Sequence, residues 1–381
     1  MNESMNAHDQ IAGVEWWRWL DRRLSRRSFA VAVLAAVGTL AGCQSAQKPA
    51  ATVTLTKLTP TAVVMQPATR IEPGNASRVK SLAVLNAHQG AVRGVAWAPD
   101  SRTVASGSYG VVQLWDVRTG SLWATLRGHS NQVQHMAWAP DGSLLASSSR
   151  DGTVRLWDTV ARKLQFVLQA PQSDPQLAVA WSPDSSRLAS GSASGVVLLW
   201  DAKRGKQLTA WTLKGSGPFR AGSYPLANWG LAWSPDGRRV AASRYDGIVN
   251  VLDARSGRAL AILQSSNQPN DVAWSPDNRV LATSSDDGSV QLWDQAYKHL
   301  ATLSAHPEGG WAYPLAWSPD GHLLVCSRQS GLVQFWDIQT HHEVAALQGQ
   351  SSAVWATAWA PDGLRVASGS DDETLRLWGV A

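Results

Sequence analysis

Between Val133 and Leu168 short apolar runs alternate with polar, turn-forming clusters. Val133, Met136 and Trp138 lead into Ala139-Pro140-Asp141-Gly142, where proline presets φ and Asp-Gly suits the turn of a tight hairpin. Leu144-Leu145-Ala146-Ser147 is the next run and Arg150-Asp151-Gly152 turns again. Thr153-Val154-Arg155-Leu156-Trp157 then alternates with period two like a half-buried strand. Lys163 to Leu168 makes a fourth. The pattern predicts four antiparallel strands in ~42 residues, a sheet that cannot bury both faces alone and must stack on neighbours.

The same unit recurs. Ala-Trp-(Ser/Ala)-Pro-Asp occurs seven times, with its tryptophan at Trp97, Trp138, Trp181, Trp233, Trp274, Trp317 and Trp359. A second series follows at Trp115, Trp157, Trp200, Leu252, Trp293, Trp336 and Trp378, with Asp next in six cases and Gly379 in the last. On these motifs residues 80–381 resemble the WD-repeat β-propeller family. The expected fold is all-β: a seven-bladed β-propeller of four-stranded antiparallel blades. The last copy stops at Leu377-Trp378-Gly379-Val380-Ala381, after its third strand, and Ser81-Leu82-Ala83-Val84-Leu85 can supply the missing outer strand. That N-terminal strand, completing the last blade, closes the predicted ring.

The resemblance also implies a hydrogen-bonded set of His, Ser or Thr, Asp and Trp that braces each blade. The second unit has all four, His129, Ser147, Asp151 and Trp157. Elsewhere the set is partial: His88 and His306 hold the histidine place, Gln350 stands there in the seventh unit, and Ser194 and Ser330 replace the turn acid. These polar residues are scaffold, so function is expected where the copies differ. Four residues before each first-series tryptophan lies a position that in WD-repeat proteins points into the rim used for partners. Arg93, Gln134, Leu177, Trp229, Asn270, Tyr313 and Trp355 occupy it here, and Arg150, Tyr245, Asp286 and Asp371 precede the turn acids. Trp, Tyr and Arg dominate interface energies, so Arg93, Arg150, Trp229, Tyr245, Tyr313 and Trp355 are the candidate partner-binding residues. The alternative for Trp229 and Trp355 is that they fill the core above their own blades. A longer interval before Trp233 holds residues 214–225, read as an extended loop on the same face.

Composition narrows the chemistry. Twenty-one tryptophans against four phenylalanines fit one structural unit copied many times. The net charge of +5 is spread without a basic run, which argues against a nucleic-acid partner. Cys43 and Cys326 are the two cysteines, too few for a disulfide framework. His341-His342 has no further ligand at metal spacing, and no phosphate loop, nucleophile elbow or zinc-protease helix motif appears. Asp116-Val117-Arg118-Thr119-Gly120-Ser121-Leu122-Trp123 resembles the repeat of quinone-cofactor propellers, once and with Trp123 displaced by one residue. The expectation is no enzyme, no cofactor and no metal. A small-ligand or glycan receptor, or an enzyme with a site assembled across blades, remain the rival classes.

The first 43 residues follow another rule. Ser25-Arg26-Arg27-Ser28-Phe29 resembles a twin-arginine export motif, the uncharged stretch Phe29 to Gly42 suits an export signal, and Leu40-Ala41-Gly42-Cys43 resembles a bacterial lipobox. Residues 1–42 are read as the signal, with Cys43 as the site of lipid attachment to the extracytoplasmic face of a bacterial membrane. Residues 43–79, rich in Ala, Thr, Pro, Gln and Ser, are read as a flexible tether reaching about 30 Å.

Overall fold

The structure is a computed structural model that describes residues 53–54, 66–86, 88–213, 228–303 and 311–381. The export signal, Cys43, most of the tether, His306 and the 214–225 loop lie outside the described residues.

Each repeat folds as its turn chemistry dictates. In the second unit Trp138 pairs with Leu145, Leu145 with Trp157, and Trp157 with Leu164, across the strands Leu144–Ser149, Thr153–Asp158 and Lys163–Gln169. The Pro-Asp-Gly hairpin closes with Ala139 N–H on Leu144 O and Gly142 N–H on Ala139 O, both at 2.8 Å. Gly142 adopts φ 75°, a left-handed conformation that glycine takes without a Cβ clash. Asp141 Oδ1 accepts the Ser143 N–H at 2.9 Å, locking the turn from its side chain.

The strands assemble into six antiparallel sheets among the described residues. Five have four strands. The first has eight: seven because Ser121–Trp138 runs uninterrupted from the outer edge of the first unit into the second, and Val53–Thr54, assigned to the tether on composition, which pairs with Thr125 and Leu126. The last sheet contains Val354–Trp359, Val366–Ser370 and Leu375–Val380, and its fourth strand is Val79–Leu85, with Val79 opposite Val380 and Leu85 opposite Leu375. Residues 66–78, assigned to the tether on composition, are packed here. Ala68 N–H donates to Val380 O at 2.7 Å, Ile71 N–H to Gly363 O at 3.0 Å, and Ala76–Arg78 forms one 3-10 turn. Ile71, Ala76 and Val79 are buried with Phe335, Trp359 and Val380, enough apolar surface to order a segment that otherwise looks polar.

Apolar clusters fill the spaces between sheets. Ala146, Leu156, Trp181 and Trp200 join the second unit to the third, and Leu82, Trp97, Trp115 and Leu377 join the first unit to the last sheet. The two tryptophan series have different tasks. Second-series indoles bond inside their own unit: Trp115 to Ser106, Trp157 to Ser147, Trp200 to Ser190, Trp293 to Thr283 and Trp378 to Ser368, at 2.7–3.1 Å. Four of the seven first-series indoles reach across to another unit, while those of Trp233, Trp274 and Trp359 have no hydrogen-bond partner among the described residues. Trp138 donates to Ala96 O, Trp181 to Ala137 O, Trp317 to Ala273 O, and Trp97 to Ala358 O in the last unit, at 2.9–3.3 Å. Each acceptor lies on the first strand of its unit, one edge of which is left largely unpaired, so the indole satisfies a carbonyl at that edge.

Candidate functional site

The brace of the second unit is continuous. His129 Nδ1 lies 2.8 Å from Asp151 Oδ2 and Nε2 lies 2.8 Å from Ser147 Oγ, which also accepts the Trp157 indole at 2.8 Å. One proton arrangement satisfies all four groups. Trp157 donates to Ser147, Ser147 donates to His129 Nε2, and His129 donates through Nδ1 to Asp151, so the ring is neutral and the carboxylate ionised. Burial pushes the His129 pKa down, only partly opposed by the bond to Asp151. Burial would raise the Asp151 carboxyl, but hydrogen bonds from His129, Thr153 and Ser130 overcome it and hold it well below the usual carboxylate range. These polar residues are consumed by structure.

At the entrances of the innermost strands the geometry makes two groupings. Arg93, just before Gly94–Trp97, holds its guanidinium 4.2 Å over the Trp355 ring, with Nη2 3.8 Å from Asp371 Oδ1. The first unit thus touches the seventh through a cation–π contact and an ion pair. The second grouping links the third, fourth and fifth units. Trp229 packs beside Leu177 and Ala193 and meets Tyr245 edge-to-face at 6.5 Å. The Tyr245 hydroxyl hydrogen-bonds Asp286, which also accepts Asn270 Nδ2 at 2.7 Å. Burial and the Asp286 charge push the Tyr245 pKa up to about 12, and burial raises that of Asp286 against its two donors.

Of the predicted rim residues, the structure therefore groups Arg93 with Trp355 and Trp229 with Tyr245. Trp229 and Trp355 are half-buried, so they neither vanish into the core nor stand free. Arg150 is placed by its backbone, whose N–H donates to Gln132 O at 3.1 Å, in the turn that carries Asp151. Tyr313 lies in the strand Ala312–Trp317, with its side chain outside the described residues.

Sequence reasoning passed over two ionisable groups on the innermost strands. Three residues before the first-series tryptophans the chain has Gly94, Ala178, Gly230, Pro314 and Ala356, but His135 in the second unit and Asp271 in the fifth. Asp271 Oδ2 accepts the Leu315 N–H of the next unit at 2.9 Å, and burial pushes its pKa up to about 7. His135 hydrogen-bonds the backbone of Val179, again in the next unit, and burial brings it down to about 4. Aligning the seven copies at this position would have exposed both.

Antiparallel sheets built from one repeated strand-and-turn unit, with the full polar brace in the second of them, define an all-β repeat protein. The chain carries WD40 repeats: the model described as WD domain, G-beta repeat matches residues 79–116, 120–158, 162–201 and 228–253. That of the Anaphase-promoting complex subunit 4 WD40 domain matches residues 272–362. A curated relative, WD repeat-containing protein slp1 of Schizosaccharomyces pombe (strain 972 / ATCC 24843), is 45% identical over 38 residues. That match spans 10% of this chain and 8% of the relative. WD40 repeats suggest a protein-interaction scaffold.

Proposed function

We propose that the chain is a non-catalytic interaction platform: a closed seven-bladed propeller that binds a protein or peptide partner through Arg93, Arg150, Trp229, Tyr245, Tyr313 and Trp355. The observation that carries the platform reading is the Arg93–Trp355–Asp371 grouping. It sets a half-buried aromatic ring against a mostly buried arginine at the junction of two units far apart in sequence, the residue types that anchor interfaces. Ring closure is supported by the pairing of Val79–Leu85 with Leu375–Val380 and by the Trp97 bond to Ala358. Proline at Val84, opposite Arg376 in that pairing, is expected to loosen the first and last units together. Unchanged hydrogen exchange in both would count against closure.

The partner test uses protein lacking residues 1–43 to capture a partner from its own cell envelope, followed by direct titration of that partner once purified. Trp355→Ala and Trp229→Ala should each weaken binding by about tenfold or more while leaving the fold intact. Turnover of a peptide, glycan or ester substrate, lost on a rim substitution, would replace this reading with an enzymatic one. Attachment is part of the same proposal: Cys43 carries a diacylglycerol that tethers the domain outside the cytoplasm. Cys43→Ser should move the protein from the membrane pellet to the soluble fraction, and continued pelleting would sink the anchor.

A further inference from the structure

A cleft of about 480 Å³ opens between the first and second units at their Pro-Asp turns, and none of the predicted rim residues lines it. Trp123, Trp138, Asp100, Asp141, Thr159 and Arg162 line it. Its aromatic wall is a feature of this junction. Trp123 sits at a β-bulge: Leu114 pairs with Ala124 and Trp115 with Leu122, which leaves Trp123 out of the ladder. The same bulge carries Leu208, Leu260 and Leu300 in the third, fourth and fifth units, where they are 50%, 42% and 51% exposed. In the first unit the bulge presents an indole instead, and the Arg162 guanidinium lies 4.5 Å from its centroid. Arg162 adopts φ 53°, at the turn position where the first, third and fourth units have Gly120, Gly205 and Gly257. His341 is left-handed at the same place in the sixth unit, at φ 60°, so the turn tolerates a side chain; what sets Arg162 apart is that its guanidinium reaches an indole.

The polar groups of the cleft are fixed in place. Asp141 Oδ1 accepts the Ser143 N–H at 2.9 Å and its hydroxyl at 2.7 Å, and those bonds keep the carboxyl ionised. Asp100 Oδ1 accepts the Arg102 and Thr103 N–H groups at 2.8 and 3.0 Å. Two carboxylates against one guanidinium disfavour an anion, while Arg162 over the indole occupies the place a cation would take. A neutral molecule with a flat apolar face and flanking hydroxyls matches every group: Trp138 and the edge of the Trp123–Arg162 stack take the face, the carboxylates accept, and the guanidinium donates. The volume lies within the range of small-ligand pockets.

We propose that this cleft binds a neutral sugar, a pyranose ring packed on Trp138 and against the Trp123–Arg162 stack and hydrogen-bonded by Arg162 and Asp141. The test titrates the ¹⁵N-labelled protein with cellobiose, maltose and N,N′-diacetylchitobiose and follows the indole N–H signals, with Trp123 assigned from Trp123→Phe. At least one sugar should give a saturable shift of Trp123 and Trp138. Arg162→Gly, which installs the residue of the sibling turns and so preserves folding, should weaken that binding by about tenfold. Trp123→Ala should abolish it. The proposal is overturned if none of the sugars gives a saturable shift, if Arg162→Gly binds as well as the parent protein, or if an Arg-Lys dipeptide or inorganic phosphate competes for the site more strongly than the sugars.

Discussion

The second and sixth units have the same four strands and opposite solutions to the polar interior between them. The second threads His129, Ser147, Asp151 and Trp157 into one neutral-to-ionic chain. In the sixth, Cys326 takes the place of Ser147, Arg328 that of Ser149, and Ser330 that of Asp151. Arg328 is fully buried, with Nε on Gln334 Oε1 and Nη1 on Gly288 O of the fifth unit, while Gln334 Nε2 reaches Glu343 Oε2. The fourth unit resembles the sixth: Arg244 is buried on Asp246 at 2.5 Å. There Leu252 replaces the second-series tryptophan and Ala242 the serine, so donor and acceptor disappear together. The sixth unit breaks that match. Trp336 keeps its indole but faces a thiol position, and its N–H has no hydrogen-bond partner among the described residues. Donors and acceptors in these interiors are thus set pairwise, and a change at one member shows as a loss at the other.

The largest effect that would separate the two solutions is at the turn acid. Asp151→Ala removes the acceptor of the Ser130 N–H and the Thr153 hydroxyl and leaves His129 Nδ1 only Thr153 Oγ1, at 3.3 Å, inside a buried network. It should cost about 3 kcal/mol in denaturant unfolding. Ser330→Ala, at the matching exposed position of the sixth unit, should stay within about 0.5 kcal/mol. Similar losses at both sites would mean that the brace is not local to the histidine unit.

Acid should distinguish the units nearly as strongly. His88, 2.6 Å from Ser106 Oγ in the first unit, is pushed down to about 4 by burial, and His129 is also lowered. Below the unfolded histidine value of about 6.5 the unfolded chain takes up protons that the native rings refuse. Stability is therefore full above that pH and falls as pH drops toward 4, by about 3 kcal/mol for His88. Asp271 acts in the opposite sense: its raised pKa means its contribution is present at low pH and lost as pH rises through about 7. The two trends are separable by locating amide exchange. Thr103–Gly107, which carries the Ser106 partner of His88, should lose protection between pH 6.5 and 4, whereas Leu323–Arg328, whose interior holds Arg328 and no histidine brace, should hold. Equal loss in both strands would refute the assignment of acid sensitivity to the histidine braces.

Local order was legible because it is encoded locally. Period-two runs and Pro-Asp-Gly turns mark the strands of the second unit, and the spacing of His129, Ser147, Asp151 and Trp157 marks its brace. What escaped depends on distance or on context. The uninterrupted Ser121–Trp138 strand and the packing of Ile71 and Ala76 under the last sheet come from tertiary contacts that polar composition hides. Arg244 and Arg328 read as surface residues until Asp246, Gln334 and the Gly288 carbonyl supply partners. The rim was legible residue by residue, as positions where the copies diverge. Its grouping was not, since Arg93 and Trp355 meet only when the first and seventh units adjoin.

The smallest effect is the sharpest test of pairwise matching, because its sign differs from almost every other substitution in a packed interior. Cys326→Ser restores to the sixth unit the hydroxyl that accepts the second-series indole in the second, at a side chain that is already fully buried and of nearly the same volume. If Trp336 Nε1 finds Oγ there, as Trp157 finds Ser147, the variant should gain up to about 1 kcal/mol, and the converse Ser147→Cys should lose a similar amount. The double variant Cys326→Ser, Trp336→Leu should then give back the whole gain, since an added hydroxyl with no indole donor is only a buried polar group. A Cys326→Ser protein that is destabilised while Trp336 remains would show that the sixth unit has repacked around sulfur and that its interior is no longer built on the donor–acceptor register of the second.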